Sequence, residues 1–191
     1  MKPEYPSRII MAEIQIRSAI ASDIAAITQM EHNYETDFVL QMDIHNSRDQ
    51  IHNTATFRRV RLPRTQRVEY PRHPKTLLND WTNRSGLLVA SLQENTIGYV
   101  SLSLNVAPGT AWVTDLVVDR QLRRKGVGTT LLLSSLEWGA NHACRMLALE
   151  MQLKNDPAIR MAQKYGFDFI GFNDRYYSNH DAVVFFGKSL Q

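Results

Sequence analysis

Apolar positions along the chain fall into short runs whose period switches between two and about three and a half residues, and each switch marks a predicted element. Glu13 to Arg17 alternates as a strand does. Ser22-Asp23 then caps a helix on which Ile24, Ile27 and Met30 recur at three-residue steps. From Glu35 to Arg84 the pattern is weaker: Phe57 to Tyr70 reads as two short basic strands turning near Pro63-Arg64, and Lys75 to Asn83 as a short helix. Leu87 to Leu92 and Ile97 to Leu104 read as a hairpin joined by Gln93-Glu94-Asn95-Thr96, and Ala111 to Val118 as a third strand after Pro108-Gly109. A helix at Val127 to His142, a strand at Met146 to Leu153, and a helix at Pro157 to Tyr165 stopped by Gly166 follow. Phe167 to Phe172 and Ala182 to Lys188 are the last strands. Hairpins together with a crossover helix predict an α/β or α+β domain with a mixed sheet.

At 191 residues with 43% apolar content, the chain suits one buried core better than two. Residues 1–11, with Pro3 and Pro6 and no periodicity, are expected to be a loose tail. The expected domain is then 12–191, with a basic insertion at about 35–84. No apolar run reaches the ~18 residues of a membrane span, and the first residues lack the pattern of a secretory signal, so the expectation is a cytoplasmic protein without membrane contact. The only cysteine, Cys144, has no partner for an intramolecular disulfide, and no Cys/His spacing suggests a metal site.

The net charge of +3 is mild, and its distribution is more informative. Arg58, Arg59, Arg61, Arg64, Arg67, Arg72 and Lys75 stand against one acid, Glu69. That stretch reads as a solvated basic hairpin or a lid over an anion. A nucleic-acid-binding module is the competing reading, and retention on heparin or DNA would separate the two. The second basic cluster is Arg123-Arg124-Lys125. It lies in Leu116-Val117-Val118-Asp119-Arg120-Gln121-Leu122-Arg123-Arg124-Lys125-Gly126-Val127-Gly128, where a buried strand runs through a glycine-spaced turn into an amphipathic helix. A helix N-terminus offers unpaired N–H groups and partial positive charge, and glycine lets a phosphate approach the backbone. The glycines do not fit the dinucleotide-binding fingerprint, and no Lys-Ser/Thr pair follows them as in a P-loop.

Arg123-x-x-Gly126-x-Gly128 after Val117-Val118-Asp119 resembles the acetyl-CoA signature of GNAT N-acetyltransferases. Trp112 to Gly128, the helix to His142, the strand ending at Glu150, and Asn155-x-x-Ala158 with Gly166-Phe167 follow the order and spacing of that family. The resemblance spans roughly Glu13 to Leu190 and is specific from about Leu87 onward. It implies a central, mostly antiparallel mixed sheet flanked by helices, and acetyl-CoA as cosubstrate. It implies further that Leu116, Val117 and Val118 offer backbone groups to the pantetheine arm. Arg123, Arg124, Lys125, Gly126, Val127, Gly128 and Thr129 would wrap the pyrophosphate, and Asn155 would hydrogen-bond the arm, with Asp156-Pro157 capping the next helix. A homodimer is the oligomer the resemblance allows, and nothing else in the chain selects one.

Amide formation needs a neutral amine, and a lysine-like amine of pKa near 10.4 costs roughly 4 to 5 kcal/mol to deprotonate at neutral pH. By resemblance to ribosomal-protein alanine acetyltransferases, Glu150 is the expected base. The proton donor to the leaving thiolate is a departure: where relatives carry a tyrosine, this chain has Ala162, and Tyr165 one turn later is the substitute on the same helix face. Tyr176 and Tyr177 fall where the alanine-acetylating relatives hold a peptide acceptor. Ala148-Leu149-Glu150-Met151-Gln152 through Asn155 also resembles streptothricin acetyltransferases, which modify an antibiotic amine. The expected acceptor is therefore a peptide or protein amine, or a small-molecule amine. A catalytically silent acyl-CoA sensor is the alternative that Ala162 raises.

Overall fold

The computed structural model describes residues 14–46 and 53–190; the expected tail at 1–11 lies outside them. Seven strands form one sheet: β1 (Gln15–Ser18), β4 (Gly86–Leu92), β5 (Asn95–Ser103), β6 (Thr110–Val118), β7 (Met146–Gln152), β9 (Val183–Ser189) and β8 (Asp168–Asn173), in that spatial order. Among the described residues only β6 and β7 pair in parallel. The crossover between them is helix α3 (Val127–Asn141), as a parallel connection requires. The hairpin of β4 and β5 is tighter than the four-residue turn expected. Gln93 and Glu94 alone make it, both at positive φ (48° and 65°), which is the backbone a two-residue hairpin needs to match strand twist.

Alternation divides the sheet into two apolar faces. Val89, Tyr99 and Val117 meet Ile24 and Ile27 of helix α1 (Ala21–Gln29) and Leu77 of helix α2 (Thr76–Asp80), which runs on into a 3₁₀ turn at Trp81–Asn83. Val100, Leu102, Val113 and Leu149 face the other way, onto Val127, Leu131 and Leu132 of α3 and Ile159 and Ala162 of helix α4 (Asp156–Lys164). A bulge at Thr114 changes the parity of β6. Ser101 opposes Asp115 and Leu102 opposes Val113, so Thr114 is unpaired, and Leu116 and Val118 return to the face of Val113.

At the start of α1 the expected cap is displaced. Ile20 is the N-cap, and Asp23, three residues in, accepts the Ile20 N–H at 2.9 Å. Asp23 also takes a bidentate pair from Arg17 (2.6 and 2.9 Å) and the hydroxyl of Thr96 (2.6 Å). The Arg17 hydrogen bonds, with those of Ile20 and Thr96, outweigh burial and hold this carboxyl at about 2.

The segment read as two short strands with a turn at Pro63-Arg64 is instead one long strand. β2 (Tyr34–Asn46) and β3 (Asn53–Val68) pair as an antiparallel ribbon separate from the main sheet. The pairing steps from Thr36–Gln66 to Phe38–Arg61, so residues 62–65 bulge opposite Asp37. Pro63 has no N–H for a ladder, and in a bulge it needs none. A proline that reads as a turn in sequence is therefore a kink within a strand. The ribbon is fastened at several points: Leu40 and Phe57 join the main core, Leu40 N–H donates to Leu153 O (2.9 Å), and Arg59 forks onto Asp156 at the start of α4 (2.6 and 3.0 Å).

Candidate active site

The parallel pairing of β6 with β7 runs from Thr110–Met146 to Val113–Leu149 and stops. Beyond it β6 stays on β5 and β7 stays on β9, so the two strands fork. The Thr114 bulge begins where the pairing ends. Backbone groups of β6 that a neighbouring strand would satisfy therefore face an open cleft. Leu116, Asn155, Ala158 and Met161 line one part of it, and Tyr70, Arg72, Glu150, Gln152 and Tyr177 the other.

The glycine-spaced loop lies at the first part. Gly126 is the N-cap of α3 at φ 93° and Arg124 sits at φ 64°, a pair of left-handed residues that turns successive N–H groups to one side. The first bond of the helix runs from Thr130 N–H to Gly126 O (3.0 Å), which leaves the N–H groups of Val127, Gly128 and Thr129 without a carbonyl behind them. A Cβ on Gly128 would enter the gap between Leu116, Val118 and Met161, 3.6 to 3.8 Å from each. Arg124 and Lys125 make no ion pair among the described residues. A nest of donors, two unspent cations and a glycine-floored gap fit the diphosphate and slender arm of acetyl-CoA.

Two of the residues expected to hold the cofactor have other work. The Arg123 guanidinium turns inward and donates to three carbonyls: Val118 O (3.0 Å), Asn33 O (2.7 Å) and Glu31 O. Its side chain is a strut for the loop, a correction to its expected place around the phosphates. Burial pulls its pKa below the ordinary value. Asn155, not Asp156, caps α4, since its Oδ1 accepts Ala158 N–H at 3.2 Å, while Asp156 is committed to Arg59. Asn155 nonetheless lines the cleft. Val117 and Val118 are core and Leu116 is half-buried, as expected for residues that offer backbone only.

At the other part Glu150 is buried and accepts three hydrogen bonds: from Arg72 Nη2, from Trp112 Nε1 (2.8 Å) and from Tyr176 Oη (3.1 Å). Arg72 also donates to Thr114 O at the bulge (2.8 Å) and lies 3.8 Å from Asp115. Burial opposes its charge, but Asp115 and Glu150 outweigh that and raise its pKa above the ordinary guanidinium value. Asp115 is itself buried and accepts from Tyr70 Oη (2.7 Å) and Thr114 Oγ1 (3.0 Å), with Arg84 at 3.9 Å. Asp115 and Glu150 with Arg72 and Arg84 thus form an ionic network beneath the cleft, which Asp80 joins through Arg84 (3.0 Å). Arg72 and Trp112 were missed as site residues. Arg72 was hidden in a run of seven basic residues, and its neighbours Tyr70 and Pro71 were the only hint.

Tyr165 is not brought to the cleft. It follows Ala162 by the three-residue step that was to put both on one helix face, but lies beyond the C-terminal end of α4, roughly 15 Å along the axis from Asn155. Its ring packs on the core and its carbonyl accepts Lys188 Nζ (2.7 Å). Ala162 is fully buried. Tyr177 lines the cleft and Tyr176 Oη donates to Glu150, so the fold brings both tyrosines to the candidate site.

Residues 54–167, well over half of the chain, match the model of the acetyltransferase (GNAT) family, and the chain belongs to that family. Among curated relatives it is 36% identical over 89 residues to streptothricin acetyltransferase A of Bacillus subtilis (strain 168), covering 46% of this chain and 50% of that protein. It is 29% identical over 76 residues to the putative [ribosomal protein bS18]-alanine N-acetyltransferase of the same organism, covering 39% and 50%. The chain spans about half the length of the curated relatives it matches. Among solved structures it superposes on nourseothricin acetyltransferase with a TM-score of 0.77 at 21% identity, over 94% of this chain and 99% of that one. A putative streptothricin acetyltransferase from Bacillus anthracis str. Ames, in complex with acetyl coenzyme A, gives 0.71 at 20% identity over 93% and 98%. At these identities the superpositions establish the fold.

Proposed function

We propose that the chain is an N-acetyltransferase that moves an acetyl group from acetyl-CoA to a primary amine by direct attack in a ternary complex. The observation that carries the reading is the fork itself: a cleft lined at one part by Leu116 and Met161, against which Gly128 of the backbone-donor nest lies, and at the other by the buried carboxylate of Glu150. The donor, when bound, supplies an activated acyl carbon. The chain's part is to hold its phosphates on the Arg124 to Thr129 backbone, to pair its arm with the unpaired edge of β6 and with Asn155, and to relieve the incoming amine of a proton at Glu150, directly or through a water. The names of the relatives include both an antibiotic and a ribosomal-protein acetyltransferase, which supports an acceptor that is either a small-molecule amine or a peptide amine. The buried free thiol of Cys144 suits the cytoplasm, the compartment we assign. The basic stretch gives little support to nucleic-acid binding, because Arg58, Arg59, Arg67 and Arg72 are each paired with a carboxylate.

Calorimetric titration with acetyl-CoA, on the wild type and on an Arg124→Glu/Gly126→Asp variant, tests the reading. Binding by the wild type that drops at least tenfold in the variant is the expected result. If the wild type does not bind, the loop is a structural turn and the assignment fails. A catalytically silent sensor would bind and then turn over no amine, from N-terminal peptides to lysine-like antibiotics.

A further inference from the structure

The hydroxyls around the cleft are unequally committed. Tyr34 donates to Gln152 (2.9 Å), Tyr70 to Asp115, Tyr176 to Glu150, and Tyr99 shares a hydrogen bond with His32 (2.9 Å). Tyr177 differs. Its ring is buried, 7% exposed, and lines the cleft under the Arg72 guanidinium (5.3 Å to the ring centroid), while its backbone is fixed by a bond to Asp181 O (3.2 Å). Among the described residues its hydroxyl makes no hydrogen bond, yet it is not a sealed, orphaned polar atom either. A buried tyrosine whose ring is held and whose O–H is unspent opens onto the cavity it lines.

We infer that Tyr177 is the proton donor to the departing sulfur, in place of the tyrosine that relatives carry at the position of Ala162. This rests on the transferase reading above. The amine nitrogen forms a bond to the acyl carbon, and the C–S bond breaks with its electron pair going to sulfur. Tyr177 O–H gives its proton to that sulfur. From an amine that is neutral when it attacks, Glu150 takes one proton as the amide forms and returns it to the Tyr177 oxygen through water in the cleft, which restores both groups, so that one proton has moved from amine to thiol. Arg72, next to both, neutralises Glu150 at rest and offsets the charge on the Tyr177 oxygen in passing. The titratable groups around Tyr177 are Glu150 from β7, Asp115 from β6, Arg72 from the loop before α2, Tyr34 from β2 and its neighbour Tyr176. Burial first, and Glu150 second, raise the Tyr177 pKa above the ordinary phenol value, so the proton is in place at the start of each cycle.

Tyr177→Phe keeps the ring and removes the proton. Two readings of that variant decide the matter. Free CoA is titrated on the protein with thiolate absorbance as signal: donation from Tyr177 to the sulfur lowers the pKa of the bound thiol, so Tyr177→Phe raises it by about a unit or more while CoA affinity changes less than about threefold. An unchanged thiol pKa overturns the assignment, whether or not an amine acceptor is known. With an acceptor, kcat falls by about 10² or more and the acceptor KM hardly moves. A loss confined to the acceptor KM makes Tyr177 a substrate-binding residue and also overturns it. Failure of the transferase reading has a different signature, since wild-type protein then binds no CoA or turns over no amine.

Discussion

The two arms of the fork are built on different principles. On the proposed cofactor side one continuous segment, Val118 to Thr130, supplies the candidate phosphate site: a strand end, a left-handed Arg124 and Gly126, and the free N–H groups of a helix start. On the acceptor side no two partners of Glu150 are neighbours in sequence. Arg72 comes from the loop before α2, Trp112 from β6 and Tyr176 from the connection between β8 and β9. A backbone-made site is specified locally by where glycine and helix caps fall, whereas a side-chain site is specified by which strands the fold brings side by side. The first can be transplanted between relatives with its motif, and the second has to be rebuilt whenever a segment such as the ribbon changes.

The largest expected effect lies on the side-chain arm. Glu150→Gln keeps the shape but removes the basic oxygen and leaves Arg72 beside a neutral group, and because Arg72 and Trp112 donate to different carboxylate oxygens, the single amide oxygen keeps only one of those two bonds. Turnover should fall by about 10² to 10⁴, with acetyl-CoA affinity unchanged by calorimetry. If affinity fell as steeply as turnover, the two arms would not be separable and the comparison would break.

The same contrast explains what could be read from the chain alone. The order of strands and helices from Gly86 onward was legible because each apolar run is bounded by a turn or cap that acts within a few residues. Asn155 and Gly126, the N-caps of α4 and α3, fall at such boundaries. The ribbon was not: β2 carries Asp37, Gln41 and Asp43 among its apolar residues, and Pro63 in β3 imitates a turn, because only the partner strand reveals that residues 62–65 form a bulge. Arg123 was assigned by its place in the motif, but its side chain answers to Glu31 and Asn33, some ninety residues earlier. Tyr165 was placed on the right helix face at the wrong height, since periodicity gives angle around a helix and not where along it a cleft opens.

Arg123 therefore offers an intermediate test, where a side chain supports the backbone-made arm. Arg123→Ala strands the carbonyls of Glu31, Asn33 and Val118 and should destabilise the fold by about 2 to 4 kcal/mol, measured by urea unfolding. Acetyl-CoA affinity should weaken by about tenfold or less, because the loop loses its strut but none of its N–H donors. A loss of affinity as large as that of Arg124→Glu/Gly126→Asp, with stability intact, would return Arg123 to the phosphate site.

The smallest effect sharpens the comparison most. Tyr165 lies on the helix that Asn155 starts, and its sequence position relative to Gly166-Phe167 invites a catalytic role. Its ring fills core space beside α4, and its only hydrogen bonds in the described residues are through its backbone: N–H to Met161 and Ala162, carbonyl from Lys188. Phenylalanine keeps the ring and all of those bonds. Tyr165→Phe should leave kcat within about twofold of wild type and stability within about 0.5 kcal/mol, the range of substitutions that remove no buried contact. A tenfold fall in kcat would mean that α4 moves its far end toward the cleft when both substrates are bound. The acceptor arm would then be assembled by binding.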